Sequence, residues 1–119
     1  MNLEERVEQL EFQVEQLEFQ NELLFHNSNI DRYIFETKLT REEYHSIMDL
    51  MDQYRKKIES GEKVSHATFE EGIYQRVPKK NGDYHFCELI AKLFAEDGRW
   101  EEVFPALYGD MPKYGGPIG

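Results

Sequence analysis

The sequence is poor in the features that disulfide-rich, membrane and nucleic-acid-binding proteins depend on. A single cysteine excludes an internal disulfide framework and fits a reducing compartment. No apolar run approaches the ~18–20 residues of a membrane span. Lysine and arginine number 14 against 24 acidic residues, a net charge of −10, which disfavours binding to nucleic acid or anionic lipid. We therefore predict a cytoplasmic protein that binds neither membranes nor nucleic acid directly.

The size of the chain limits its core. At 119 residues and 14.2 kDa, it has the length of one ordinary domain. Apolar residues make up 39% of it, below the usual ~45–50%. This composition supports one modest hydrophobic core, and self-association would add to it.

The most informative pattern is a repeat near the N-terminus. The heptapeptide VEQLEFQ fills residues 7–13 and again residues 14–20. Seven residues is the period of a coiled coil, in which positions a and d form an apolar seam. The seam residues are Val7, Val14 and Asn21 at a, and Leu3, Leu10, Leu17 and Leu24 at d. The pattern predicts a helix over about 3–26, about 36 Å long, and an assembly segment over residues 1–27.

The residues beside the seam indicate an orientation. Glutamates occupy e (Glu4, Glu11, Glu18), and glutamines occupy g (Gln13, Gln20). An antiparallel pair would set glutamate against glutamate, whereas a parallel pair sets amide against carboxylate. Valine at a with leucine at d favours a two-stranded coiled coil, and Asn21 at a would fix its register. We therefore expect a homo-oligomer, at least a dimer, with parallel helices.

Two phenylalanines fall opposite the seam. Phe12 and Phe19 occupy f, where a solvated coiled coil usually carries charge. Their presence predicts that this face is also covered, either by the rest of the chain or by a neighbouring subunit. The predicted interface therefore includes both rings. The alternative is a helix buried within the bundle of one chain.

The remaining sequence predicts five more helices and no strand. The expected spans are about 29–38, 41–60, from Ser65 or Thr68 to about 75, and 84–96. A last helix starts near Arg99 and is short or bent, because Pro105 lies in or just beyond its first turns. Thr40 and Glu43 form a capping box at the start of the third helix. The fold class is therefore an all-α multi-helix bundle with a long, coiled-coil-like N-terminal helix. We assign residues 28–108 to a helical body and residues 109–119 to an irregular tail.

The order of these elements resembles a known family. The resemblance rests on short motifs: Ile30-Asp31-Arg32-Tyr33 with Phe35, Leu39-Thr40-Arg41-Glu42-Glu43, Ile47-Met48, and Thr68-Phe69. Over residues 4–108 the chain is similar to the YhaI-like family of small helical bacterial proteins of unknown function. It departs from that family in the loop at 77–83 and in the tail at 114–117. The resemblance implies a cytosolic, helical, oligomeric protein and supplies no catalytic residues.

Two local motifs carry possible chemistry. Glu42-x-x-His45 has the spacing of a metal-binding pair on a helix, but no second motif completes a di-metal site. His85 and Cys87 are two residues apart, so on a helix their side chains point in different directions. We therefore predict no catalytic, cofactor-binding or metal-binding residues and no enzyme activity, although a composite site between subunits would leave no local motif.

The negative charge is uneven. Residues 1–26 hold seven glutamates and one arginine, a net charge of −6. This charge can simply keep an exposed helix in solution, or it can attract a basic partner. We therefore expect a non-enzymatic, self-associating interaction or regulatory protein. The alternative is an acidic inhibitor that mimics nucleic acid and binds a basic, nucleic-acid-binding partner.

Overall fold

The computed structural model describes residues 2–111, which are all-α as the sequence predicts. The helices are α1 (Leu3–His26), α2 (Asn29–Thr37), α3 (Arg41–Glu59), α4 (His66–Arg76), α5 (Tyr84–Glu96) and α6 (Val103–Tyr108). No strand occurs in this range, and none of its helices is long and apolar enough to cross a membrane. The chain divides into two compact units, residues 1–44 and 45–119.

The first unit is a helical hairpin with a short turn. α1 ends because Asn27 adopts the left-handed conformation, with φ of 52°, which asparagine tolerates better than most residues. Ser28 then begins α2, since its Oγ accepts a hydrogen bond from the Asp31 backbone N–H at 3.2 Å. Only Asn27 and Ser28 separate the two helices, so α2 folds back along the end of α1.

The core of the first unit contains one buried acid. Its buried apolar residues are Phe19, Leu23, Ile30, Ile34, Leu39 and Tyr44. Asp31 is 8% exposed. Its carboxylate accepts hydrogen bonds from the Ser28 hydroxyl at 2.7 Å and from the Tyr44 hydroxyl at 3.2 Å. These bonds offset the cost of removing a carboxylate from water.

The second unit packs an apolar core of its own. The residues with no measurable exposure are Ile47, Met51, Phe69, Ile73, Val77, Cys87, Ile90, Ala91, Phe94 and Val103. The expected loop after α4 contains a single turn of 3₁₀ helix, Pro78–Lys80. Of the predicted irregular tail, residues 112–119 lie outside the described part of the chain.

The start of the last helix differs from the sequence prediction. We expected it near Arg99, but α6 begins at Val103. Gly98 and Trp100 have φ values of 76° and 50°, which a right-handed helix cannot contain. The Trp100 ring packs edge-on against Phe94, at 5.0 Å between centroids, and its Nε1 donates to Asp52 at 3.3 Å. These contacts fix the indole and so stabilise the unfavourable left-handed backbone conformation of Trp100.

The capping box at the start of α3 gives a test of local stability. The Glu43 backbone N–H donates to the Thr40 hydroxyl at 3.1 Å, and the Thr40 N–H donates to the Glu43 carboxylate at 2.9 Å. Thr40→Ala removes the first bond, so we expect the free energy of unfolding to fall by about 1 kcal/mol. Urea unfolding measures this change, and Thr40→Ser is the control that should restore most of it. An unchanged midpoint for Thr40→Ala would contradict the assignment.

Candidate self-association surface

One face of α1 is fixed to the first unit through three side chains. Gln16, Phe19 and Leu23 follow one another along one side of the helix. Phe19 is 3% exposed and Leu23 is 2% exposed. The Gln16 Nε2 donates to the Leu39 backbone carbonyl at 2.9 Å. This stripe therefore anchors the C-terminal half of α1.

Arg41 covers the anchored face from the side. Its guanidinium lies over the Phe19 ring, 5.1 Å from the centroid. Its two terminal nitrogens donate to the Glu22 carboxylate at 2.7 and 3.0 Å. This hydrogen-bonded pairing with Glu22 raises the pKa of Arg41. Because both partners are partly exposed, the pair contributes little energy as an ion pair, and its main effect is to position the guanidinium over the ring.

The predicted seam lies on a different face of α1 and is exposed in the single chain. Its side chains are Leu3, Val7, Leu10, Val14, Leu17, Asn21 and Leu24. Their apolar members range from 43% exposed at Val7 to 77% at Leu3. The stripe runs about 32 Å along the helix. A contiguous apolar stripe of this length is typical of a protein–protein interface.

The N-terminal half of α1 has no cover on any side. Every residue from 2 to 15 is exposed. This segment extends a helix that the anchored half already nucleates, so its stability rests on helix propagation and on its N-cap rather than on packing within the chain.

The two phenylalanines at f have different environments. Both were expected to be covered, by the rest of the chain or by a neighbouring subunit. Phe19 is buried, whereas Phe12 is 57% exposed in the single chain. The reason is length: α2 has nine residues, about 14 Å, and the anchored stripe reaches no further toward the N-terminus than Gln16. The covered face therefore ends one turn short of Phe12.

The sequence patterns did not identify every residue that anchors α1 or extends its apolar surface. Leu23 lies one turn beyond Phe19, and that spacing is the signal that could have identified it. Arg41 and the Leu39 carbonyl are distant in sequence and gave no signal. Phe25, at position e, is 85% exposed and extends the apolar surface at the end of the seam.

The flanks of the seam differ in charge. Positions b and e between residues 4 and 22 are all glutamate: Glu4, Glu8, Glu11, Glu15, Glu18 and Glu22. Positions c and g over residues 6–23 carry no acid: Arg6, Gln9, Gln13, Gln16, Gln20 and Leu23. One flank is therefore a carboxylate stripe, and the other is formed mainly by amides with a single cation.

The residues with possible chemistry do not form a metal cluster. Within residues 2–111, no three histidine, cysteine or acidic side chains are placed to hold a metal ion. Glu42 and His45 are both exposed. Burial raises the pKa of the Cys87 thiol to about 12, so Cys87 is neutral at physiological pH. A neutral, buried thiol is a poor nucleophile.

A polar cluster in the second unit was also not foreseen. The buried Tyr108 hydroxyl donates to the Glu70 carboxylate at 2.8 Å, and the His66 Nδ1 lies 3.4 Å from the same oxygen. Burial raises the pKa of Tyr108. The cluster keeps a buried hydroxyl hydrogen-bonded and ties the start of α4 to the end of α6.

Comparison with known proteins gives no match: no family model, no curated protein and no solved structure corresponds to this chain. The resemblance to the YhaI-like family stays a prediction. The surface of α1 therefore has to be interpreted from its own geometry.

The repeat provides a matched pair of substitutions. Phe12 and Phe19 occupy the same place in identical heptapeptides, but only Phe19 is buried. Phe19→Ala should lower the free energy of unfolding by about 3 kcal/mol through the cavity that it leaves. Phe12→Ala should cost less than about 1 kcal/mol. Urea unfolding at low protein concentration compares the two. Equal losses that grow with concentration would instead place Phe12 in a contact between subunits.

Proposed function

We propose that this is a non-enzymatic, self-associating interaction or regulatory protein that works in the cytoplasm, and that the seam of α1 binds a second copy of the chain. The observation that carries the proposal is the exposure of the entire a/d stripe on a helix whose opposite side is anchored. A helix that only completed its own chain's core would turn its most regular apolar stripe inward.

The size of the seam indicates a reversible association. Each leucine or valine contributes about 1.5–3 kcal/mol when it is fully transferred from water, and these side chains are already partly covered. Association itself costs roughly 4–15 kcal/mol in lost translational and rotational freedom. We therefore expect a concentration-dependent equilibrium between monomer and dimer.

The absence of catalysis is part of the proposal. Cys87, the single thiol of the chain, is buried and neutral at physiological pH. The groups in the second unit with the largest pKa changes, Tyr108, Tyr74 and Cys87, owe those changes chiefly to desolvation by burial. These features support a structural role for the polar groups of the second unit.

Two adjacent residues test the seam with the same change of charge. Leu10 lies at d, and Gln9 lies at c, away from the seam. In the dimer, Leu10→Glu would bury an unpaired carboxylate at the centre of the interface, so we expect the dissociation constant to rise at least a hundredfold. Gln9→Glu should change it by less than about threefold. Sedimentation equilibrium or native mass spectrometry measures both. A wild-type chain that stays monomeric at high micromolar concentration would exclude this function.

The carboxylate stripe supports a second candidate function. Its six glutamates span about 27 Å of α1. Within residues 2–111, Glu22 is the one member of the stripe that forms an ion pair, with Arg41. A row of carboxylates without ion-pair partners favours binding of a basic protein. A protein that binds nucleic acid presents a basic surface that could occupy this position. The alternative function is therefore that of an acidic inhibitor of such a partner.

Ionic strength separates the two functions. Screening shortens to about 8 Å at physiological salt, so binding of a basic partner through exposed glutamates should weaken steeply as salt rises. DNA or RNA should compete for that partner. Self-association through valine and leucine should persist at 1 M NaCl. Sedimentation and pull-down experiments across a salt series make the comparison, and partner binding that is insensitive to both salt and nucleic acid would exclude mimicry.

A further inference from the structure

We propose that two copies of α1 associate in parallel and in register, and that Arg6 of each chain forms an ion pair with Glu11 of the other. This inference rests on the proposed self-association. It adds a specific polar contact that selects the orientation of the two helices.

Arg6 is well placed for a partner outside its own chain. It is the only lysine or arginine before Arg32. It is exposed, and within the described residues it takes part in no ion pair. The positions one turn away on its own helix are Asn2, Leu3, Gln9 and Leu10, none of which is acidic. Arg41 and Arg55, in contrast, pair with glutamates of the same chain.

Parallel geometry supplies an acid at the required position. In a parallel two-stranded coiled coil, position g of one helix lies beside position e of the next heptad in its partner. Arg6 at g is therefore set beside Glu11 at e, and two-fold symmetry gives two such pairs. The following g position, Gln13, is set beside Glu18 as an amide and a carboxylate.

Antiparallel geometry loses these contacts. There, e lies beside e and g beside g, so glutamates would meet glutamates and Arg6 would meet glutamine. Asn21 gives an independent argument. In a parallel pair in register, it meets Asn21 of the second copy, which satisfies both amides, whereas an antiparallel pair would set it against a leucine at d. The Arg6–Glu11 pair and the contact between the two Asn21 side chains therefore both favour a parallel dimer in register.

A charge exchange tests the ion pair at constant net charge. Arg6→Glu with Glu11→Arg reverses both charges and retains the pair between chains. The matched control is Arg6→Glu with Glu8→Arg, because Glu8 lies at b, off the seam, among similar acidic neighbours. We expect the first variant to dimerise within about threefold of wild type, and the control to be weakened about tenfold. Equal dissociation constants for the two variants would overturn the ion pair.

Cross-linking tests the orientation separately. Leu3→Cys should form a disulfide within the dimer under mild oxidation, since residue 3 meets residue 3 in a parallel pair. The wild-type chain is the control, because its own Cys87 is buried. If Leu3→Cys instead cross-links only with Asn21→Cys in mixed dimers, the orientation is antiparallel, because position d then lies against position a, and self-association stands. If sedimentation shows only monomer, the proposed function itself fails.

Discussion

The structure of the first unit depends on a mismatch in length between two helices. α1 has 24 residues and α2 has nine, which correspond to about 36 Å and 14 Å. Because the turn between them has only two residues, α2 must fold back along the end of α1 that it follows. One chain can therefore cover only the second copy of the repeated heptapeptide. The first copy carries the same side chains, but all of them are exposed in the single chain.

Under the proposed self-association, this mismatch links folding to assembly. Phe19 and Gln16 contribute to the fold of one chain, whereas the equivalent Phe12 and Gln9 are exposed. A helical segment without packing in its own chain is stabilised when a partner binds it, so assembly and helix formation reinforce one another by mass action. In the proposed dimer, the N-terminal half of α1 is ordered by its partner, and the C-terminal half is ordered by its own chain.

Local patterns in the sequence were sufficient to predict most of the fold. Apolar periodicity and the Thr40–Glu43 capping box gave the helices and the all-α class, because both act within a few residues. The predicted start of α6 was wrong, because the left-handed backbone at Trp100 is held by contacts of its ring with Phe94 and with Asp52, and Asp52 is far away in sequence. The single chain buries Phe19 but leaves Phe12 57% exposed, a difference that depends on how far α2 extends, which the heptad pattern of α1 does not specify. Cover of Phe12 by a neighbouring subunit stays a prediction.

The charge on α1 connects the two candidate functions. A parallel dimer brings two carboxylate stripes onto one rod, so their mutual repulsion opposes the apolar seam and the Arg6–Glu11 pairs act against it locally. Salt screens this repulsion, and the seam itself is insensitive to screening. The dimer should therefore become more stable as ionic strength rises, whereas the affinity for a basic partner should fall. The same repulsion means that a basic partner neutralising the stripes would stabilise the dimer that it binds. The two proposed functions, self-association and binding of a basic partner, would therefore be coupled with positive sign, and an acidic coiled coil can serve both without a separate binding site.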